Sequence, residues 1–327
     1  MPKISLVISW DFEELGHVRN ALWLPGDLKN HPAACWILLH GAGGSANWAL
    51  EESCIANVAV RENAWLVVPD GRSLDPGKPS GFLQNPKIWD DGSPRFREYL
   101  GPGDDIKFFE GLVNRIKMEA KSLGFSPDFP IHLIGFSNGG AMAARLVRSM
   151  PGIWSSASLI CSLPPPLGPG NIASFSWELP ILTIHGNQDP LVPWEGGPAK
   201  SPWLKIPDIR PPVWSELANW FDKANFENPQ FRDHLGLQSR LLFHIKQPKA
   251  WLESWLIVEM GHHWPGGLGR INRRLAGPPS WRLDANELIA DFTKRSVSSL
   301  LGPDQIFDLT NPEKWESIPS RHPSIHG

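Results

Sequence analysis

Residues Gly135-Phe136-Ser137-Asn138-Gly139 place a serine between two glycines, each two positions away. The apolar run Ile131-His132-Leu133-Ile134 precedes them and a helix-forming run, Ala141 to Arg148, follows at once. The pattern reads as strand, sharp turn and helix. Glycines at the flanking positions let strand and helix approach closely, and the serine hydroxyl is then held out at the carboxyl edge of a sheet. That location suits nucleophilic attack. The pentapeptide alone also fits an ordinary turn whose serine caps a helix, so the remaining residues have to decide.

A serine hydroxyl is a weak nucleophile near neutral pH. It needs a base within hydrogen-bond reach, and the base needs an orienting carboxylate. In sheet enzymes built around Gly-x-Ser-x-Gly the chain order is serine, acid, histidine. Asp189 meets the requirement best, because it follows the apolar run Ile181 to Ile184 and Pro190 stiffens its turn; a turn-forming aspartate is the ordinary alternative. Asp208, Asp222 and Asp233 fall in helical or irregular sequence. Among the later histidines, His234, His244, His322 and His326 lie in the 194–240 excursion, inside a strand or in the tail. Only His262 and His263 follow a strand within a glycine-bounded loop.

Attack on a carbonyl creates an oxyanion, which requires preorganised backbone amides. Asn138, next to the serine, is expected to supply one. The early loop His40-Gly41-Ala42-Gly43-Gly44 supplies the other, through Ala42. A phosphate-cradling role for this loop fails on detail, since there is neither Gly-x-Gly-x-x-Gly nor Gly-Lys-Ser/Thr.

These residues need elements to carry them. Ala34 to Leu39, Trp65 to Val68, Ile131 to Ile134, Ser156 to Cys161 and Ile181 to Ile184 are apolar runs suited to strands buried on both faces. Ile4 to Ser9 and Val18 to Leu24 read as an edge hairpin, and Leu241 to Lys246 and Trp255 to Glu259 as the last strands. Helices are expected at Trp48 to Val60, Asp104 to Leu123, Val213 to Asn225 and Leu283 to Leu300. Alternating strands and helices predict an α/β fold: a mainly parallel sheet with helices on both faces and reactive groups at the carboxyl ends of strands. One domain over 1–327 is expected. It includes a long Pro/Gly-rich loop from Arg72 to Gly103, a proline-rich crossing at Pro164 to Asn171, an excursion at about 194–240 that could serve as a lid, and an irregular tail over 302–327.

The net charge of -3 argues against a nucleic-acid binder, which carries a basic face. Cys35, Cys54 and Cys161 show no metal-ligand spacing, and Cys35 and Cys161 sit in apolar runs as buried thiols. No metal or organic cofactor is implied. No apolar run approaches the roughly 20 residues of a membrane span. The N-terminal stretch, with Asp11, Glu13 and Glu14 close behind a short apolar patch, is a poor leader, and the expected location is cytoplasmic.

Beyond this residue reading, the chain resembles the polyhydroxybutyrate depolymerase/feruloyl esterase-like family of α/β-hydrolases. The resemblance is carried by Leu38-Leu39-His40-Gly41, Gly135 to Met142, His185-Gly186-Asn187-Gln188-Asp189-Pro190-Leu191-Val192-Pro193 and Gly261-His262-His263-Trp264-Pro265-Gly266; Trp89-Asp90-Asp91-Gly92 and the Asp104-Asp105 helix start are similar as well. It implies an α/β-hydrolase fold with Ser137 as nucleophile, Asp189 as orienter and His262, from the His-x-Trp-Pro pattern, as base.

The 17 tryptophans stand against a single tyrosine. Trp48, Trp89, Trp194 and Trp264 all fall on loops that follow strands. At least two are expected to line an aromatic-walled cleft, better suited to aryl or short acyl esters or to a polyester chain than to charged substrates. The expected function is a serine carboxylic-ester hydrolase working through an acyl-enzyme on a small-molecule or polymeric ester. The alternatives are a serine peptidase or acyltransferase of the same fold and, from a different class, a non-catalytic binding protein.

Overall fold

The computed structural model of the chain describes residues 6–163, 179–202, 208–220, 227–234, 238–244 and 250–298. The crossing expected at 164–171 and the tail at 302–327 lie outside the described residues. Within them runs one ten-stranded sheet in the order β1-β2-β4-β3-β5-β6-β7-β12-β11-β10. Its strands are β1 (Ile8–Glu14), β2 (His17–Leu24), β3 (Ala34–Leu39), β4 (Ala64–Pro69), β5 (Ile131–Phe136), β6 (Ser156–Ile160), β7 (Ile181–Gly186), β10 (Glu227–His234), β11 (Gln238–His244) and β12 (Trp251–Ile257). A small ribbon, β8 (Gly197–Ala199) with β9 (Asp208–Arg210), stands apart. The strands from β4 through β3, β5, β6 and β7 to β12 run parallel, and antiparallel pairs close both edges.

The continuous apolar strands still alternate between two cores. Cys35, Ile37 and Leu39 of β3 face one, while Trp36 and Leu38 face the other. The first core is covered by α3 (Asp105–Ser122), α4 (Asn138–Ser149) and α5 (Val213–Trp220). The second is covered by α1 (Ala46–Ser53), α2 (Ala56–Arg61) and α7 (Ala285–Val297), while α6 (Arg273–Ala276) is a single turn. Helices therefore cover both faces, as the sequence pattern predicts.

Several boundaries differ from expectation, each for a local reason. The edge hairpin turns at Leu15 and Gly16, both at positive φ, which suits the twist of a two-residue connection; β1 therefore runs to Glu14. Its charged residues Asp11 and Glu13 point outward from an edge strand. The helix expected over Trp48 to Val60 is broken at Cys54, which takes a left-handed conformation (φ 56°). β12 begins at Trp251 rather than Trp255, because its parallel register on β7 starts at Leu252 opposite Ile181. β10 extends the sheet in a stretch expected to be irregular.

One ionic cluster holds the long 72–103 loop to the sheet. Asp104 caps α3, accepting from the Ile106 amide at 2.9 Å, and leaves Asp105 in the first turn. The Asp105 carboxylate is buried. It meets Arg19 Nη1 of β2 at 2.7 Å and Arg72 Nε at 3.2 Å, and accepts from the Asp90 amide at 2.7 Å. Burial alone raises its pKa; the charges of Arg19 and then Arg72 outweigh this and hold the carboxyl below its ordinary range. Asp105→Asn leaves two buried guanidiniums with only longer contacts to acids and is expected to cost about 3 kcal/mol at pH 7, read by urea unfolding. Because the folded pKa is depressed, that advantage is complete above about pH 4 and fades as pH falls further. A cost under about 1 kcal/mol would contradict it.

Candidate active site

Ser137 sits between the last residue of β5 and the first of α4, at φ 55° and ψ −121°. This backbone is costly for a residue with a side chain, on the order of 1–3 kcal/mol, and persists only where its surroundings enforce it. Here they do. The Ser137 amide donates to Ile160 O at 2.8 Å, and its carbonyl accepts from Gly140 and Ala141 at 3.0 and 3.1 Å. A Cβ on Gly135 would lie 2.3 Å from Gly139 O, and one on Gly139 would lie 2.5 Å from the carbonyls of Leu39 and His40. Strand and helix meet at contacts that only glycine allows. Ser137 is half-buried while its neighbours Phe136 and Asn138 are buried.

Asp189 and His262 meet at the next strand ends. The loop after β12 packs against the end of β7 so closely that a Cβ on Gly186 would lie 2.1 Å from Met260 O. Asp189 Oδ1 accepts from the amides of Leu191 and Val192, both at 2.8 Å, which fixes the carboxylate. Its Oδ2 lies 2.7 Å from His262 Nδ1, and both side chains are buried. The His262 ring packs on Phe136, with centroids 5.0 Å apart. His263 turns away, and its Nε2 donates to Gly277 O at 2.9 Å. Of the two candidate histidines, His262 is the one against Asp189.

The early glycine loop is held from behind. His40 is buried, its Nε2 accepts from the Gly71 amide at 2.8 Å, and its Nδ1 therefore carries the proton shared with Gly41 O at 2.7 Å. Ala42 and Asn138 line one cavity together with Ser137 and His262. The backbone amides of Ala42 and Asn138 donate to no described residue. The cavity encloses about 330 Å³, within the range of small-molecule sites.

The four tryptophans separate. Trp48 lines the cavity and packs on Phe136. Trp89 does not line it. It is buried, donates from Nε1 to His40 O at 2.9 Å, and exchanges backbone bonds with the Asn138 amide group. Trp194 packs on His185 with ring centroids 5.8 Å apart, and Trp264 donates to Asn286 Oδ1 at 3.0 Å. These three hold loops in place, and nine described tryptophans are core residues. Phe82, Arg95, Leu163, Lys200 and Arg210 also line the cavity and were not singled out in the sequence. The signals for them were coarse: the length of the 72–103 loop for Phe82 and Arg95, and the 194–240 excursion for Lys200 and Arg210.

Among the described residues one three-donor set bears on metal binding. Donor atoms of Cys161, Asp189 and His262 lie within 4.8 Å of one another. Burial and the Asp189 charge push the Cys161 thiol well above its ordinary range. The thiolate a metal requires is thus disfavoured, and His262 and Asp189 already satisfy each other.

Residues 27–206, more than half of the chain, match the phospholipase/carboxylesterase family of α/β-hydrolases. The chain belongs to that family. This carboxylesterase-family chain is 26% identical over 269 residues to "Putative esterase NocK" of Nocardia uniformis subsp. tsuyamanensis, covering 78% of the chain and 72% of the relative. Its structure is similar to that of an acetyl xylan esterase from Aspergillus awamori, with TM-score 0.54, 12% identity, 79% of this chain covered and 94% of the other. The structural likeness speaks for the shared α/β-hydrolase fold. With the family match, the chain is a carboxylic-ester hydrolase. Among the described residues no helix is long and apolar enough to cross a membrane.

Three buried histidines of this esterase are kept neutral by burial. His40 and His185 are lowered to about 4 and His132 to about 3. A lowered histidine pKa means that the unfolded chain binds a proton the fold refuses. Stability is therefore complete above about pH 6.5 and declines as pH falls toward 4. Urea titrations at pH 7 and pH 5 are expected to differ by a few kcal/mol, with the acid sample weaker. Equal midpoints and slopes would contradict that assignment of neutral histidines.

Proposed function

We propose that Ser137 is the nucleophile of this esterase, His262 its general base and Asp189 the carboxylate that orients His262. What supports the reading is the 2.7 Å contact between His262 Nδ1 and Asp189 Oδ2, with His262 and Ser137 on one cavity. With Nδ1–H donated to the carboxylate, Nε2 is left as the basic nitrogen. It takes the proton of the Ser137 hydroxyl as Oγ attacks the ester carbonyl. The oxyanion that forms is held by the amides of Ala42 and Asn138, whose hydrogen bonds are otherwise unspent. His262 returns its proton to the leaving alcohol. Water, deprotonated by the same nitrogen, then releases the acid from the acyl-enzyme.

The substrate proposed is a compact apolar, aromatic or short-chain acyl ester, or the end of a hydroxyalkanoate-like polyester. The cavity volume and the wall of Trp48 and Phe136 favour such groups. Within the family, the polyhydroxybutyrate depolymerase/feruloyl esterase-like branch is favoured by Gly261-His262-His263-Trp264-Pro265-Gly266. We also take the chain as one α/β-hydrolase domain in which the first part of the 194–240 excursion walls the site, through Lys200, Ser201, Pro202 and Arg210, while its later part joins the sheet edge as β10 and the start of β11.

Ester hydrolysis by purified variants tests the assignment. Ser137→Ala and His262→Ala are each expected to lower kcat by about 10⁴-fold or more, with amide analogues turned over more slowly than esters. His263→Ala is expected to stay within about tenfold of the parent, because its ring serves Gly277. Full activity in His262→Ala alongside an inactive His263→Ala would reverse the roles of the two histidines.

A further inference from the structure

The cavity bearing Ser137 and His262 is unevenly charged. Its walls are largely apolar. The permanently charged residues on it are Arg95, Lys200 and Arg210, and no aspartate or glutamate is among the described residues that line it. The cations come from two separate segments, Arg95 from the 72–103 loop, and Lys200 just past β8 with Arg210 at the end of β9.

Two of them are preset from behind. Arg95 Nε donates to Ser93 Oγ at 3.2 Å, and its Nη2 meets Asp91 at 3.3 Å. Asp91 is buried and also accepts from Asn138 Nδ2 at 3.1 Å. Arg210 Nε meets Asp208 at 2.7 Å. These acids fix each guanidinium by one edge. Nη1 of Arg95 and both Nη groups of Arg210 find no described acceptor. Lys200 is exposed, and the cavity wall around it offers no acid. Its backbone amide donates to Pro190 O at 2.7 Å, which ties it to the turn that carries Asp189.

A neutral ester, its carbonyl held by the Ala42 and Asn138 amides and its remainder apolar, would take water from the two largely buried guanidiniums and return no acceptor to them. A carboxylate would satisfy them, and a guanidinium edge presents paired N–H groups that match its two oxygens. We propose that this site selects esters whose acyl or alcohol part ends in a carboxylate, bound by Arg95, Lys200 and Arg210 while the apolar stem lies against the cavity wall. The proposal rests on the catalytic reading above. It revises the expectation that the cleft prefers uncharged esters.

Matched ester pairs test it. Mono-p-nitrophenyl adipate and p-nitrophenyl hexanoate share an acyl length and differ in a terminal carboxylate. 4-Acetoxybenzoate and its methyl ester make the same comparison on the alcohol side. In at least one pair the anionic ester is expected to show kcat/KM at least tenfold above its neutral partner, mainly through KM. Lys200→Met is expected to lower that ratio at least fivefold, and Lys117→Met, on the solvent face of α3, to leave it unchanged. Equal or reversed preference in both pairs, or a ratio untouched by Lys200→Met, would overturn the proposal. Failure to hydrolyse any of the four esters would instead overturn the catalytic reading beneath it.

Discussion

The backbone at Ser137 is the constraint on which the site depends. A residue with a side chain is held at φ 55° because strand β5 and helix α4 meet with no room for a Cβ at Gly135 or Gly139. The same contact seats Gly139 against the carbonyls of Leu39 and His40, so the elbow also fixes where the early glycine loop begins. The Ser137 hydroxyl and the amides of Ala42 and Asn138 are consequences of one packing arrangement. Relaxing the turn would disturb all three together.

The loops around the elbow are tied to it by buried polar groups. Asn138 holds Trp89 by both backbone groups and reaches Asp91; Trp89 in turn donates to His40 O. Asp105 clamps Arg19 and Arg72 and receives the Asp90 amide. A long Pro/Gly-rich loop is thus given a defined shape with little secondary structure of its own, one 3-10 turn at Arg97–Tyr99 and one bridge between Arg72 and Ile88. On the far side, Asp189 receives two amides from its own turn, so its second oxygen is committed to His262. Preorganised donors and acceptors of this kind need little rearrangement when charge develops on the substrate.

Much of this was legible in the sequence because it depends on local chemistry. Gly135-Phe136-Ser137-Asn138-Gly139 announces an elbow through steric demand, and the buried central strands announce themselves as apolar runs. The placement of Asp189 and the pair His262-His263 just after strands followed from chain order alone. What could not be read depends on contacts distant in sequence. Choosing between His262 and His263 from residues needed the side-chain directions that send one ring to Asp189 and the other to Gly277. Trp89, Trp194 and Trp264 looked like cleft residues because they follow strands, yet each loop turns its ring into packing. The cations on the cavity come from a loop and a short ribbon with no periodic pattern, so nothing in their spacing revealed that they share a wall.

The account turns on whether the hydroxyl of Ser137 is the group that attacks, with its oxyanion facing Ala42 and Asn138. Inactivation with a fluorophosphonate, followed by a crystal structure of the inhibited protein, reads both at once. The account predicts one phosphonyl group on Ser137 Oγ, with its phosphoryl oxygen about 3 Å from the two amides. An adduct on another residue, or an ester-hydrolysing protein that takes up no label, would contradict it.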